Sequence, residues 1–268
     1  MPAENTPGII YEPVPKDRDQ AFYRYDGFIP WLTTRKILTQ PFKILRHNRQ
    51  DVAGLIYKAR FLDERLLNEI TKPEWLRIAN SMQASLTDEV LMKAVAAFPE
   101  PVQKKAGAST LELLQKRRDK IPTLAAKMYA LLARKVTIAG TDEKELFRVT
   151  RSDEKTLVQV FSVSDNTSAA KLFYEREFSA SETKEITLRG LGQDDEFIVV
   201  GQATKSPLLV IYGDKGQDKI TDTSEVKGLG KKTVVYDNRS ATTLQLGPES
   251  KNKTSDKVEI KEYERIMP

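Results

Sequence analysis

The chain has 268 residues, of which 40% are hydrophobic and 30% are charged, and its formal net charge is +5. This length can bury one large core or two smaller ones, and the composition is that of a globular protein. The absence of cysteine and the single histidine, His47, exclude a disulfide framework, a thiol nucleophile, thiolate zinc sites and metal motifs built on histidine pairs.

No stretch approaches eighteen uncharged apolar residues, so we expect no membrane span in this chain. The N-terminus combines neither a basic segment nor an apolar one, so the sequence predicts no signal peptide.

The segment Pro13–Phe22 is the first that carries a chemical pattern, because Asp17 and Asp19 stand there beside Lys16 and Arg18. Residues i and i+2 of an extended chain point to the same side, so the two carboxylates could share a divalent cation. A loop with ion pairs to the neighbouring cations explains the same residues. The segment has only twelve residues before it, so we expect the remainder of any catalytic site to lie upstream.

The first half of the chain is basic. Residues 1–140 carry 23 Lys and Arg against 15 Asp and Glu, whereas the remainder carries 20 against 23. Between Arg35 and Arg60 seven basic residues accompany a single acid, Asp51. Such a strip could face phosphates, or it could be a solvated helix face. Because few aromatic residues lie among these cations, we expect no nucleic-acid partner. We expect His47 to be a surface residue.

Residues 28–135 follow a helical period. Pro73 after Thr71 predicts one helix start, and Thr87 predicts the next. Ser109 with Glu112 predicts a capping box for the longest helix. Its apolar stripe includes one arginine: Leu111, Leu114, Arg118, Ile121, Ala125, Met128 and Leu132.

Pro122 removes the amide that would bond the Arg118 carbonyl, so the sequence predicts a kink there. An arginine on an apolar face needs a carboxylate or a phosphate as its partner. The stripe therefore predicts such a partner for Arg118 and leaves open which of the two it is.

After Gly140 the period changes to two, and residues 146–149 and 157–161 predict a hairpin. A repeat follows, because the Gly-Gln-Asp turn at residues 192–194 recurs at 216–218, displaced by 24 residues. Short apolar strands with such a period indicate stacked, β-solenoid-like coils. Stacking would place Ile186 and Leu188 beside Leu209 and Ile211, and those beside Val234, in parallel strands.

The repeated turn raises the question of a calcium site. Stacked in register, Asp194 and Asp218 would lie about 4.8 Å apart, where hydrogen bonds from turn amides or a cation must offset their repulsion. The calcium repeat has a period of nine and a glycine doublet, both of which differ here. Structural turn aspartates are the alternative.

Several motifs in order carry a resemblance to a family. They are Pro15–Phe22, Arg117–Asp119, Gly140–Asp142, Tyr174–Phe178, Thr183–Ile186, Gly190–Asp195 and Val235–Asp237. Together they resemble the middle region of large bacterial cell-envelope proteins, which combine a calcineurin-like metallophosphoesterase domain with a surface-antigen type outer-membrane β-barrel. The resemblance implies a cell-envelope location, in the periplasm or at the outer membrane, and partners that are other domains of the parent protein. The metal motifs of the phosphoesterase and the barrel itself do not occur in this sequence.

The Asp-Arg-Asp segment is also similar to the metal-binding segment of spore-coat type atypical kinases. That similarity implies magnesium held by Asp17 or Asp19 and phosphate contacted by Arg117 or Arg118.

We therefore expect an α+β fold with a mainly helical region over residues 1–138 and a β domain over residues 139–268. The expected function is a non-catalytic spacer that positions a phosphoesterase domain relative to an outer-membrane barrel. The alternatives are the C-terminal half of a kinase-like phosphotransferase and a basic module that binds phosphate or nucleic acid. We expect the isolated chain to be inactive and to have no certain cofactor, with magnesium or calcium as the candidates.

Overall fold

The computed structural model describes residues 52–56, 59–163 and 170–261. Asp17, Asp19, His47 and most of the basic strip lie outside these residues. Within the described residues, helices come first and strands follow, so the predicted α+β class is confirmed. The last helix ends at Leu132 and the first strand begins at Lys135, close to the predicted change at residue 138.

The helices are α1 Val52–Ile56, α2 Arg60–Leu66, α3 Lys72–Ser85, α4 Asp88–Ala96, α5 Glu100–Arg118 and α6 Ile121–Leu132. The strands are β1 Lys135–Ala139, β2 Glu145–Asp153, β3 Lys155–Ser162, β4 Lys171–Ser179, β5 Glu185–Leu191, β6 Glu196–Ala203, β7 Leu208–Asp214, β8 Lys219–Asp222, β9 Glu225–Val226, β10 Thr233–Tyr236, β11 Thr243–Leu246 and β12 Ser250–Asn252.

The start of α3 is as predicted, because Glu74 accepts the backbone N–H of Thr71 at 3.2 Å in a capping box. The predicted start at Ser109 is wrong. Helix α5 begins at Glu100, and Pro101 in its first turn needs no N–H partner. In place of the predicted kink, the helix ends at Arg118 and α6 begins three residues later, with Pro122 in its first turn.

The chain divides into two compact units. The described residues of the first are 52–56 and 88–118. In it α4 buries Leu91 and Val95. Val95 packs beside Gly107 on α5, which has no side chain. A Cβ added at Gly107 would lie 3.6 Å from Val95 Cγ1.

The second unit joins α2, α3 and α6 to all twelve strands. Trp75 on α3 donates from Nε1 to the Ala125 carbonyl on α6 at 2.9 Å. The Asn68 side-chain amide donates to the Thr137 carbonyl on β1 at 2.9 Å. The helical segment thus satisfies a backbone group on an edge strand that would otherwise be open to pairing.

The strands form two sheets that face each other across one apolar core. Sheet A is fully parallel, in the order β1-β5-β7-β10-β12. Sheet B has the order β11-β8-β6-β2-β3-β4, and β9 also pairs with β6. Its first four strands are parallel, and the predicted hairpin of β2 and β3 is confirmed as antiparallel. From β4 onward the chain passes back and forth between the sheets, except that β8 and β9 both lie in sheet B, so each new strand of sheet A lies beside the previous one in that sheet.

The predicted order and direction of three strands are confirmed. Ile186 pairs with Leu209, and Leu188 pairs with Ile211. The residue predicted for the third strand, Val234, is wrong by one position: Val234 pairs with Val210, and Val235 lies beside Ile211, because alternate residues of a strand face opposite sides. The displacement is 23 residues from β5 to β7 and 24 from β7 to β10. All of these side chains except Val210 and Val234 are among the fully buried ones, which explains why the register is kept.

Candidate functional site

The predicted phosphate-binding arginines lie at the end of α5. Arg118 Nη1 contacts Asp88 Oδ1 at 2.5 Å, and the Arg118 side chain is 18% exposed. Hydrogen bonds from Arg118 and Gln115 hold the pKa of Asp88 below its ordinary value. The partner that an inward arginine needs is therefore a carboxylate of the same unit.

The two predicted turn aspartates have different surroundings. Asp194 is exposed, and its Oδ1 accepts the backbone N–H of Gln217 at 2.8 Å. Asp218 is 1% exposed, and its Oδ1 accepts the backbone N–H of Asp195 at 2.9 Å. Because the strand register here is 23 residues and not 24, the residue equivalent to Asp218 is Asp195. Gly216 has a positive φ, but Gly192 does not. In the earlier turn the residue with a positive φ is Gln193, at 64°.

The turns from sheet A to sheet B carry a row of buried acids, Glu145, Asp195, Asp218 and Asp237, which we call the acid row. Each is 1% exposed. Asp195 Oδ1 accepts the Glu145 N–H at 2.7 Å, which repeats the bond that Asp218 makes to Asp195. Asp195 and Asp218 thus each join their own turn to the preceding one, whereas the Glu145 carboxylate accepts from Thr141 within its own turn.

A glycine lies opposite each of the first three acids. A Cβ at Gly190 would lie 2.2 Å from Asp195 Oδ2 and 2.5 Å from the Gly213 carbonyl oxygen. A Cβ at Gly213 would lie 2.3 Å from Asp218 Oδ2. The Gly140–Glu145 pair has the same spacing of five residues and the same contact, at 2.3 Å. A side chain at these glycines would occupy the space that the carboxylates fill.

The fourth turn reverses this arrangement. Asp237 stands where the other turns have glycine, and Thr242 stands where they have the acid. Thr242 Oγ1 donates to Asp237 Oδ2 at 2.7 Å. Asp237 Oδ2 would lie 2.1 Å from a Cβ at Gly213, so the Asp237 carboxyl reaches the Asp218 carboxyl from the other side of the turn. After burial, the nearby Asp237 charge is a further cause that raises the pKa of Asp218.

Burial dominates the titration of the acid row. It raises the pKa of Asp195 to about 9 and that of Asp218 to about 8, although backbone N–H groups favour the ionised forms. Burial also raises the pKa of Glu145 and of Asp237. Asp195 Oδ2 and Asp218 Oδ2 accept no hydrogen bond, which is costly for a carboxylate and acceptable for a protonated acid.

The acid row can therefore hold protons at neutral pH. Among the residues that the structure describes, no group of three or more Asp, Glu or His side chains is arranged to hold a metal ion. Calcium takes six to eight oxygen ligands. Asp194 and Asp218 direct their Oδ1 atoms at different amides and do not make a common ligand set.

The sequence predictions named Asp218 but missed Glu145, Asp195 and Asp237. A signal for the first two was present, because a glycine precedes Glu145, Asp195 and Asp218 by five residues in each case. The identical Gly-Gln-Asp triplets indicated Asp194, whereas the structural equivalent of Asp218 is its neighbour, Asp195. Nothing in the sequence marks Asp237, whose position is occupied by glycine in the other turns.

In the part of the chain that the structure covers, no helix combines the length and apolar character needed to cross a membrane. Comparisons with models of protein families, with curated proteins and with solved structures found no match for this chain.

Proposed function

We propose that this chain is a non-catalytic spacer module of a larger cell-envelope protein, with β-solenoid-like coils that hold neighbouring domains at a set distance. One observation carries the proposal: five parallel strands of sheet A stack in register from β1 to β12. Each coil contributes one strand to each sheet, so the module extends by about 4.8 Å per coil.

The acid row supports this role. Asp195 and Asp218 each accept a backbone N–H from the preceding turn and so resist shear between coils. Tyr212 and Tyr236 stack with ring centroids 5.0 Å apart on successive strands, which adds a second link. The resemblance to the middle region of envelope proteins supports the proposed setting between a phosphoesterase domain and an outer-membrane barrel.

A spacer must hold its length. Because the sequence contains no cysteine, spin labels attach only at cysteines that are introduced, and the distance between two such labels measures that length. Spin labels on cysteines introduced at the exposed positions Thr137 on β1 and Lys251 on β12 would be separated by four strand spacings, about 19 Å, before the label arms are added. We expect one narrow distance distribution by pulsed electron resonance. A broad or multiple distribution would contradict a rigid spacer.

The kinase-like alternative is tested on the same protein. We expect no phosphatase activity and no ATP turnover with Mg²⁺, for the wild type and for Asp17→Ala alike. Turnover that Asp17→Ala abolishes would replace the spacer function with a phosphotransferase function.

A further inference from the structure

The turns from sheet B back to sheet A carry lysines where the opposite turns carry acids. Four of them, Lys184, Lys205, Lys227 and Lys232, line a cavity of about 250 Å³, which we call the lysine cleft. They come from three successive turns, so the stacking of the coils brings together residues up to 48 positions apart.

The cleft also presents hydroxyl groups. Thr183 and Ser206 line the cavity and are 2% and 7% exposed. Ser206 Oγ lies 3.2 Å from Thr156 Oγ1, which fixes its place in the wall. The Ser206 hydroxyl also donates to the Pro207 carbonyl, so it belongs to the wall, and the ammonium groups of the lysines are the donors from which a phosphate monoester or diester would accept.

Little negative charge offsets these cations. Lys205 pairs with Glu154 at 2.8 Å, and the Lys205 side chain is still 71% exposed. Lys184 Nζ donates to the Ala180 carbonyl, which leaves its charge uncompensated. Lys227 and Lys232 make no ion pair with any residue that the structure describes.

An apolar tip projects beside the cleft. In the loop Lys227–Lys232, Leu229 is fully exposed between Gly228 and Gly230, and neither glycine has an atom within reach of an added Cβ. Lone exposed leucines are common at protein surfaces. Here the leucine lies in the loop that connects Lys227 and Lys232, two of the lysines that line the cleft, so an apolar side chain is exposed next to the cationic groups.

We infer that the lysine cleft and the Leu229 loop form a docking site for an anionic lipid surface. The lysines bind lipid phosphates, and Leu229 enters the boundary between headgroups and acyl chains. A basic patch and a small apolar insertion are the two signals that together give reversible surface binding. A lipid surface is favoured over a soluble phosphate because a soluble ligand gives no reason for a fully exposed leucine at the rim. This inference does not depend on the spacer function.

The test is sedimentation of the full chain with vesicles of phosphatidylcholine, with and without about 30% phosphatidylglycerol. We expect binding to the anionic vesicles that weakens as salt is raised. Lys227→Glu/Lys232→Glu should weaken it at least about 25-fold, since each lysine near an anionic surface contributes roughly fivefold. The matched control, Lys127→Glu/Lys251→Glu, changes net charge equally at exposed positions outside the cleft and should retain more of the binding.

Leu229→Ser separates the two sources of phosphate. We expect it to weaken vesicle binding and to leave binding of soluble tripolyphosphate unchanged. Equal loss in the cleft variant and its control would overturn the docking site in favour of non-specific attraction. Tight tripolyphosphate binding without vesicle binding would overturn the membrane assignment in favour of a soluble ligand. Equal binding to neutral and anionic vesicles would also overturn it.

Discussion

The acid row and the lysine cleft lie on the two sets of turns between sheets A and B, and each repeats a charge type from one turn to the next. The acids of the row are 1% exposed, whereas the Lys205 side chain in the cleft is 71% exposed. Water and salt screen the lysines, so their mutual repulsion is small. The buried acids have no such screening, so they are accommodated by backbone N–H groups, by the space beside glycines and by protonation.

This difference teaches that a repeated charged residue has no fixed structural role in the turns between parallel strands. On one set of turns the repeat is part of the fold and is sensitive to pH. On the other it is a surface property that leaves the backbone unaffected. The predictions below test whether that division holds.

The largest expected effect is a loss of stability from Gly190→Ala. The added Cβ would meet Asp195 Oδ2 at 2.2 Å and the Gly213 backbone oxygen at 2.5 Å, and the backbone cannot yield cheaply. We expect a loss of at least about 3 kcal/mol in the free energy of unfolding, measured with denaturant. The control is Gly228→Ala beside the lysine cleft, where nothing lies within 4 Å and only the positive φ of 117° is strained, at about 1 kcal/mol. Equal losses would show that the acid turns are not closely packed.

The next effect is a fall in stability as the pH rises. The pKa of Asp195 is about 9 in the folded protein and 3.8 ordinarily, so between these values the folded state binds a proton that the unfolded state does not. The contribution of the Asp195 proton to stability is fully present below about pH 4 and is lost as the pH rises towards 9. We expect the free energy of unfolding to fall by about 2.7 kcal/mol from pH 6 to pH 8 through Asp195 alone, measured with denaturant at each pH. Stability that rises over this interval would show that the acid row is ionised.

The variant Asp195→Asn tests whether the acid row causes that pH dependence. The amide is neutral at every pH and its Oδ1 can still accept the Glu145 N–H. We expect a flatter dependence of the melting temperature on pH, with the variant gaining on the wild type by several degrees above pH 8. Asp194→Asn, one residue away and exposed, is the control and should keep the wild-type slope. The assignment fails if both variants keep it.

The smallest effect is expected at the lysine cleft. Lys205→Gln removes an exposed ion pair with Glu154, which in most proteins contributes less than about 1 kcal/mol. We expect less than about 0.5 kcal/mol of lost stability at physiological salt, measured by thermal unfolding. A loss comparable to that of Gly190→Ala would mean that the lysine turns also hold the fold.

Much of the β domain was predictable from local pattern. The alternation of residues 146–149 and 157–161 predicted the hairpin, because a half-buried strand has a period of two. The similarity between residues 186–197 and 209–220 predicted parallel neighbours, and the buried pairs Ile186 with Leu209 and Leu188 with Ile211 confirm them. The start of α3 followed from Thr71, Pro73 and Glu74. The start of α5 did not, because a capping box at Ser109 is a local preference that continuation of the helix from Glu100 overrides.

The sequence by itself determined the α+β class, the order of the apolar strands and the places where glycine and acid recur. Only the tertiary structure decided the step of 23 residues between β5 and β7, which makes Asp195 and not Asp194 the neighbour of Asp218. It also decided that Asp237 meets Asp218 from a position that is glycine in the other turns, and that lysines from three turns surround one cavity. The reason is that a one-residue change of register reverses which side chains are buried, and the packing of a whole face of the sheet, not a short motif, selects the register.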